Sequence, residues 1–593
     1  MTLYQGKRLD LTGPWAFRAD PEDMGVAEEW FAFPPDETWR QVEVPIVFDN
    51  CGEEFDRYTG AGWFRRTVPV PAEWRGKRVA LRFEGVSYNA SVWLNGELVG
   101  ANEDAYLPFD FDVTARLDYG GENALAVRID NVRHTGQFPP CEFWFGQGGF
   151  TREACLLATD PLYLEHLRIV AEPEGDGGQF MLTARLANDS RAMAEPSLRV
   201  TVCDPEGRVV ITLSSSPLVL PAGAQGELSV EARLPDVKAW SPDSPALYSA
   251  EVELLHSGEP VGIARDRFGF RHIEARDTQL LLNGQPLFLQ GFNRHEDSPR
   301  TGMAVDLAQA RADFELMKDL GCNFVRMCHY PHHPGEIALC DELGLLVMIE
   351  NGMNAWGRAD HPAPNEGDET APEDTPLILE TAKRTLGKLV ERDSNHPSVI
   401  LCSVGNEAAE WREDIVAANT ELVRYGKSLD PTRLWLHVSC EHSAPHYSPA
   451  FFEADEVISV NYYPSLSSPD DSMRAMKELL ARLHTDFPDK PILVSEFGYP
   501  GLVGETIQEE SQLAALKADW AGLDAPYVVG GVLWHFAHHL WPADAYYAGS
   551  QRLSPFGYMT RDRKKRYKAL EVVEILFKER AGKPNQGPPG KAD

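Results

Sequence analysis

The chain has 593 residues, more than one hydrophobic core serves, so two to four domains are expected. With 56 basic against 90 acidic residues the formal net charge is −34, which argues against nucleic acid or an anionic membrane as a general partner. No run of about 18 apolar residues, the length of a membrane span, occurs in the sequence.

Residues 1–7 lack the apolar core of a secretory leader. The nine cysteines are odd in number and scattered, with Cys322, Cys340 and Cys402 in apolar runs, so reduced thiols and a cytoplasmic location are expected. Residues 1–160 alternate short apolar runs with turn signals: Gly62-Trp-Phe-Arg-Arg-Thr-Val, Arg78-Val-Ala-Leu-Arg-Phe, and Ala90-Ser-Val-Trp-Leu leading into Asn95-Gly96. An Asn-Gly pair between two strand-like runs marks a hairpin, because both turn positions take positive φ. This spacing predicts a jelly-roll β-sandwich. Residues 161–272 keep the β rhythm over about a hundred positions, as a smaller immunoglobulin-like sandwich does.

After residue 273 short apolar strands alternate with amphipathic helices, the pattern of parallel βαβ units. Strands are predicted to end near Phe292, Met327, Ile349, Val404, Val438, Val460, Ser495 and Phe536. The best-marked helix spans 307–320, with Asp306 as N-cap, Gln309 at the capping-box position and Gly321 as C-cap. Eight such units over 273–581 predict a (β/α)8 barrel, followed by a disordered tail over 582–593.

Two strand ends carry glutamates. The run 398–407 ends in Gly405-Asn406-Glu407, and 491–496 ends in Ser495-Glu496. Catalytic groups of such barrels stand at the C-terminal ends of strands. Two carboxyls converging there fit an acid/base and a nucleophile about a glycosidic bond; a retaining enzyme spaces them about 5–5.5 Å apart and an inverting one further. A non-catalytic carbohydrate-binding protein would have no use for the pair.

Three segments carry a family resemblance: Asn323-Phe-Val-Arg-Met-Cys-His-Tyr-Pro, Asn395-His-Pro-Ser-Val-Ile-Leu-Cys-Ser-Val-Gly-Asn-Glu, and Gly291-Phe-Asn-Arg-His-Glu-Asp. They resemble the signatures of glycoside hydrolase family 2, the group of β-galactosidases, β-glucuronidases and β-mannosidases. Cys402 departs from that pattern, which usually has Trp there. The resemblance implies that Glu407 is the general acid/base and Glu496 the nucleophile of a retaining exo-β-glycosidase. It further implies that Asn406 holds the substrate 2-hydroxyl, Tyr462 hydrogen-bonds the nucleophile, Trp534 floors the sugar site, and His295, Arg326 and His329 form its rim. Some members carry Mg²⁺ near the mouth; no metal or other cofactor is expected as a requirement here. Relatives are usually dimers or tetramers, so a homo-oligomer is expected.

The glycone is ambiguous. Thr560-Arg-Asp-Arg resembles β-glucuronidases, yet their Asn-x-Lys clamp for the uronate carboxylate aligns with Ser554-Pro-Phe556. The galactosidase pattern fails at Tyr499, where it has histidine. Arg561 or Arg563 could meet a carboxylate as a bidentate partner. The resemblance places neutral β-galactosides slightly ahead, with β-glucuronides and β-galacturonides as the alternative. The acidic, Pro- and Gly-rich stretch 351–374, with the tip around Glu142-Phe-Trp-Phe, is expected to wall the pocket and make the enzyme exo-acting.

Overall fold

Between residues 7 and 159 the alternating runs pair into two antiparallel sheets of six and four strands. The expected hairpin is present: Asn89–Leu94 pairs with Glu97–Asn102, and Asn95 and Gly96 between them have φ of +53° and +82°. Inward residues such as Trp15, Phe17, Phe64, Phe83 and Phe150 fill the space between the sheets. The next unit has a three-stranded sheet of Leu162–Glu174, Gly177–Asn188 and Ala224–Pro235. It faces a sheet built on Pro196–Cys203, Val209–Ser214, Tyr248–His256 and Glu259–Phe268. The computed structural model describes all residues except 1, 2, 5, 135, 140–145, 359–370, 444, 504–505, 542–551 and 582–593. Glu142, half of the 351–374 stretch (359–370) and the C-terminal tail therefore lie outside the described residues.

Eight further strands close into a parallel barrel: β1 Leu289–Arg294, β2 Phe324–Met327, β3 Leu346–Glu350, β4 Val399–Asn406, β5 Leu434–Ser439, β6 Ile458–Asn461, β7 Ile492–Phe497 and β8 Val528–Leu533. Every residue of these strands is buried, because helices cover the outside and side chains fill the inside. The helices are α1 Leu307–Asp319, α2 Pro334–Leu343, α3 Thr375–Asp393, α4 Glu413–Leu429, α5 Ser472–Asp486, α6 Glu509–Gly522 and α7 Lys568–Ala581. Between β5 and β6 the described residues hold a 3₁₀ turn, Pro449–Phe452, in place of the expected α-helix.

Helix α1 begins as read, with Asp306 accepting from the Ala308 and Gln309 amides. Gln309 does not close a capping box; its amide reaches forward to Asp313 at 2.9 Å. Gly321 follows the helix at φ +87°, its N–H bonding Lys318 and that of Cys322 bonding Met317, which is a Schellman ending. Strand β8 ends at Leu533, short of the predicted Phe536. Beyond it, Trp534 and Phe536 stay buried by bonding the backbones of Phe497 and Asn293, so the apolar run outlasts the ladder.

Both sandwiches brace the barrel. From the second, the buried Arg271 donates to the carbonyls of Pro397, Thr432 and Val399, fixing the entry to β4. From the first, Arg152 reaches the Pro331 carbonyl beyond β2, and Tyr106 stacks on Tyr330 at 4.5 Å. Asp104, also from the first sandwich, pairs with Arg384 and Lys388 of α3. The loops at the barrel mouth thus rest on a second domain.

Candidate active site

Strand β4 delivers Asn406 as its last residue, and the chain then turns through Glu407 with φ +51°. A non-glycine residue is rarely held in this left-handed region. Backbone bonds hold the turn: Glu407 N–H to Val438 at 2.7 Å, Asn406 N–H to Met353 at 3.0 Å, and Ala355 N–H to Asn406 at 2.8 Å. The start of the 351–374 stretch is therefore zipped onto the Asn406-Glu407 turn.

Arg326, the third residue of β2, joins the two glutamates' surroundings. Its guanidinium is fully buried and donates to Glu496 Oε1 at 2.5 Å, Glu350 Oε2 at 2.8 Å, Asn293 Oδ1 at 3.0 Å and Asn406 Oδ1 at 2.8 Å. Glu496 Oε2 accepts a second bond from the Tyr463 hydroxyl at 2.6 Å. Across the barrel, Asn461 Nδ2 donates to Asn406 Oδ1 at 3.0 Å and to Glu407 Oε1 at 2.8 Å. Asn406 Oδ1 thus takes two donors, while its Nδ2 gives one hydrogen to Asn354 Oδ1 at 2.9 Å. Toward a substrate hydroxyl Asn406 can act only as a donor.

The charges follow from these bonds. Burial works to raise Glu350, but Arg326 and then His329 hold its carboxyl at about 2, so it is a permanent anion. Burial pushes Glu496 above the usual glutamate value; Arg326 and His329 pull it down, Glu407 adds to the rise and Tyr463 opposes it. Burial, and then the Glu496 carboxylate, push the Tyr463 phenol well up, so it stays a donor. The result is Glu496 with Arg326 and Tyr463 as donors beside Glu407, whose Oε1 takes the Asn461 amide. One is fit to attack and the other to exchange a proton.

Rings form the floor and one wall. Trp534 stacks on His329 at 5.2 Å and meets His295 edge-on at 5.7 Å. Phe556 and Cys328 pack against Trp534, with Tyr463 and Trp541 beside them. His539 lies 4.1 Å from His295 between it and Trp541. Burial, and then the neighbouring imidazoles, push His295 and His535 well below the ordinary histidine value, so both rings are neutral.

The structure brings Glu407, Glu496, Asn406, Arg326, His329, His295 and Trp534 together, and moves two expectations. Tyr462 does not bond the Glu496 carboxyl: its side chain meets His442 edge-on at 4.9 Å, and only its backbone N–H reaches residue 496. Tyr463 makes the bond instead, since successive side chains leave a strand on opposite sides and Asn461 already faces inward. Arg561 is not poised for a ligand carboxylate, because both arms of its fork grip Asp297 at 2.6 Å. Arg563 likewise pairs with Asp313 at 3.0 Å.

Glu350, Asn461, Asn293 and Asn354 are site residues that sequence reasoning missed. Glu350 had a usable signal, a carboxylate closing the apolar run of β3, the same feature that exposed Glu407 and Glu496. Four of the histidines that could suggest metal clusters are hydrogen-bonded within the protein. His332 bonds Glu336 and the Cys328 carbonyl, while His333 caps α2 and bonds Glu153. His535 bonds the Ser554 hydroxyl, and His538 bonds the Ser554 carbonyl and Tyr567. Glu296, His332 and Glu336 converge closely enough for a metal, but Arg152 and Arg294 already counter their charge.

Residues 8–160, 162–271 and 273–586 match three family models, described as "Glycosyl hydrolases family 2, sugar binding domain", "Glycosyl hydrolases family 2" and "Glycosyl hydrolases family 2, TIM barrel domain". The chain is 27% identical over 565 residues to the β-glucuronidase of Paenibacillus borealis, covering 89% of this chain and 90% of that protein. It is 28% identical over 634 residues to the β-glucuronidase of Canis lupus familiaris, covering 96% and 91%. Among solved structures it is similar to the GH2 β-galacturonidase from Eisenbergiella tayi bound to galacturonate, at 25% identity and a TM-score of 0.82 over 97% of this chain and 98% of that one. Among the described residues no helix is long and apolar enough to cross a membrane.

Proposed function

Because the chain belongs to glycoside hydrolase family 2 and is an O-glycosyl hydrolase, we propose that it removes terminal β-D-uronosyl residues by a retaining double displacement. The observation that carries the mechanism is the network joining Glu407 to Glu496 through Asn461, Asn406 and Arg326. Glu496 attacks the anomeric carbon while Glu407 protonates the departing oxygen. Water then attacks the glycosyl-enzyme, giving its proton to Glu407. Asn406 donates to the 2-hydroxyl, and Trp534 floors the sugar.

The relatives' names support uronides over the galactosides that the sequence had placed ahead. Arg57 of the first sandwich donates to the Trp541 carbonyl at 3.2 Å, beside the ring that stacks on His539. Burial, and then repulsion from Arg552, lower its guanidinium, while Asp56 and Asp49 raise it, so acids offset the arginines at this edge. The glucuronidase clamp has no counterpart: the Ser554 hydroxyl bonds His535 at 2.6 Å, and Phe556 packs on Trp534.

A panel of p-nitrophenyl β-D-glucuronide, galacturonide, galactoside, glucoside, mannoside and α-L-arabinoside tests the reading. Turnover of a uronide first, abolished in both Glu407→Gln and Glu496→Gln, is expected. Preference for the galactoside would return the glycone to the earlier choice. Azide rescue of Glu496→Gly should give the α-glycosyl azide; a β-azide would exchange the two roles.

A further inference from the structure

Beneath the acid/base runs a line of buried polar groups that double displacement does not itself require. Ser459 Oγ on β6 donates to Ser495 Oγ on β7 at 2.9 Å, and Ser495 Oγ donates to Asn461 Oδ1 at 2.9 Å. Asn461 then turns its nitrogen to Asn406 and Glu407. Ser459, Ser495 and Asn461 are at most 1% exposed, so water cannot replace any of these partners. An amide can be flipped with little change of shape, and only its partners decide which end faces where. Here Ser495, having accepted the Ser459 hydrogen, directs its own hydrogen at Asn461, which demands the carbonyl end there. The two amide hydrogens must then face the acid/base side.

We propose that Ser459, Ser495 and Asn461 form a positioning relay that holds Glu407 in one orientation by aiming an N–H donor at its Oε1. The proposal rests on Glu407 being the acid/base. The N–H donor at Oε1 fixes how the Glu407 carboxyl is turned while it carries the acidic proton. In glycosylation that proton passes to the glycosidic oxygen as its bond to C1 breaks and a Glu496 oxygen bonds C1. The Asn461 bond then becomes charge-assisted and stabilises the carboxylate. In deglycosylation a water oxygen bonds C1, the bond to Glu496 breaks, and the water proton returns to Glu407. Ser495 immediately precedes Glu496 at a register shift between β6 and β7, so the relay also ties the position of one carboxyl to that of the other.

The test is the pH profile of kcat/KM for Ser495→Ala and Asn461→Ser, read with aryl β-glycosides of poor and good leaving groups. Loss of the donor destabilises the Glu407 carboxylate, so the basic limb should move up by about one pH unit. Rates should fall about tenfold with a phenyl aglycone and little with a dinitrophenyl one, which needs no proton. Ser495→Thr, keeping the hydroxyl, should restore the wild-type profile. If Ser495→Ala fails to fold, Ser459→Ala breaks the line one bond further off and should shift the limb less in the same direction. Glu407→Gln separates the two ideas. A basic limb that survives it removes Glu407 from the acid/base role. A limb that it abolishes, but that Ser495→Ala and Asn461→Ser leave in place with equal losses on both aglycones, overturns the relay.

Discussion

Tyr463→Phe removes one hydroxyl and nothing else from the nucleophile's surroundings. That hydroxyl donates to Glu496 Oε2 at 2.6 Å, a short bond to a charged acceptor in a buried site. Bonds of this kind contribute about 1.5–3 kcal/mol, which corresponds to roughly one to two pK units. The donor stabilises the anion, so its loss raises the pKa of Glu496. The acid limb of kcat/KM should therefore move to higher pH by that amount, with kcat near neutrality falling about 10- to 100-fold. Folding should change little, because the ring still packs against Phe556 at 5.8 Å. Tyr462→Phe is the matched control: its hydroxyl does not reach Glu496, and the acid limb should stay in place. Initial rates from pH 4 to 9, with thermal melts of both variants, decide the matter. An unmoved limb in Tyr463→Phe, or an equal movement in Tyr462→Phe, would refute the assignment.

Three further outcomes follow from the same bonds. Arg326→Met strands the Glu350 and Glu496 carboxylates in a fully buried site, so it should lower stability by about 3–5 kcal/mol in chemical denaturation; a loss below 1 kcal/mol would mean that water enters the site. Glu350 is held at about 2, below its ordinary value, so its contribution of about 3 kcal/mol is present above roughly pH 4.5 and is lost as pH falls toward 2. Glu350→Gln should accordingly be less stable than wild type at pH 6–7, with the two melting curves converging as the pH falls. Arg561→Gln should reduce kcat/KM for a uronide and a neutral glycoside by the same factor, since its fork is committed to Asp297; a loss confined to the uronide and exceeding about tenfold would show that it meets the substrate carboxylate.

The barrel was legible because buried parallel strands are short apolar runs, and a run closed by a carboxylate is conspicuous. That rule found Glu407 and Glu496, and applied once more to β3 it would have found Glu350. What it could not supply was side-chain direction. The resemblance put the bonding tyrosine at position 462, whereas the ladder between β6 and β7 shifts register at Val460 and Asn461 and it is Tyr463 that reaches Glu496. Arg561 was misread for a different reason. A basic residue beyond β8 shows its charge in the sequence, but its partner Asp297 lies 264 positions away. The amides of Asn293, Asn354 and Asn461 carry no charge and fit no spacing rule; only the folded barrel brings them to Arg326 and Asn406.

The central claim is that Glu496 forms a covalent bond to the sugar while Glu407 moves the proton. A 2-deoxy-2-fluoro-β-glycosyl fluoride of the glycone turned over fastest in the panel traps such an intermediate, and peptide mapping by mass spectrometry locates it. A single adduct on Glu496, formed with loss of activity and released when activity returns, is the expected result. An adduct on Glu407 or elsewhere, or turnover giving the α-anomer as first product with no adduct, would contradict it.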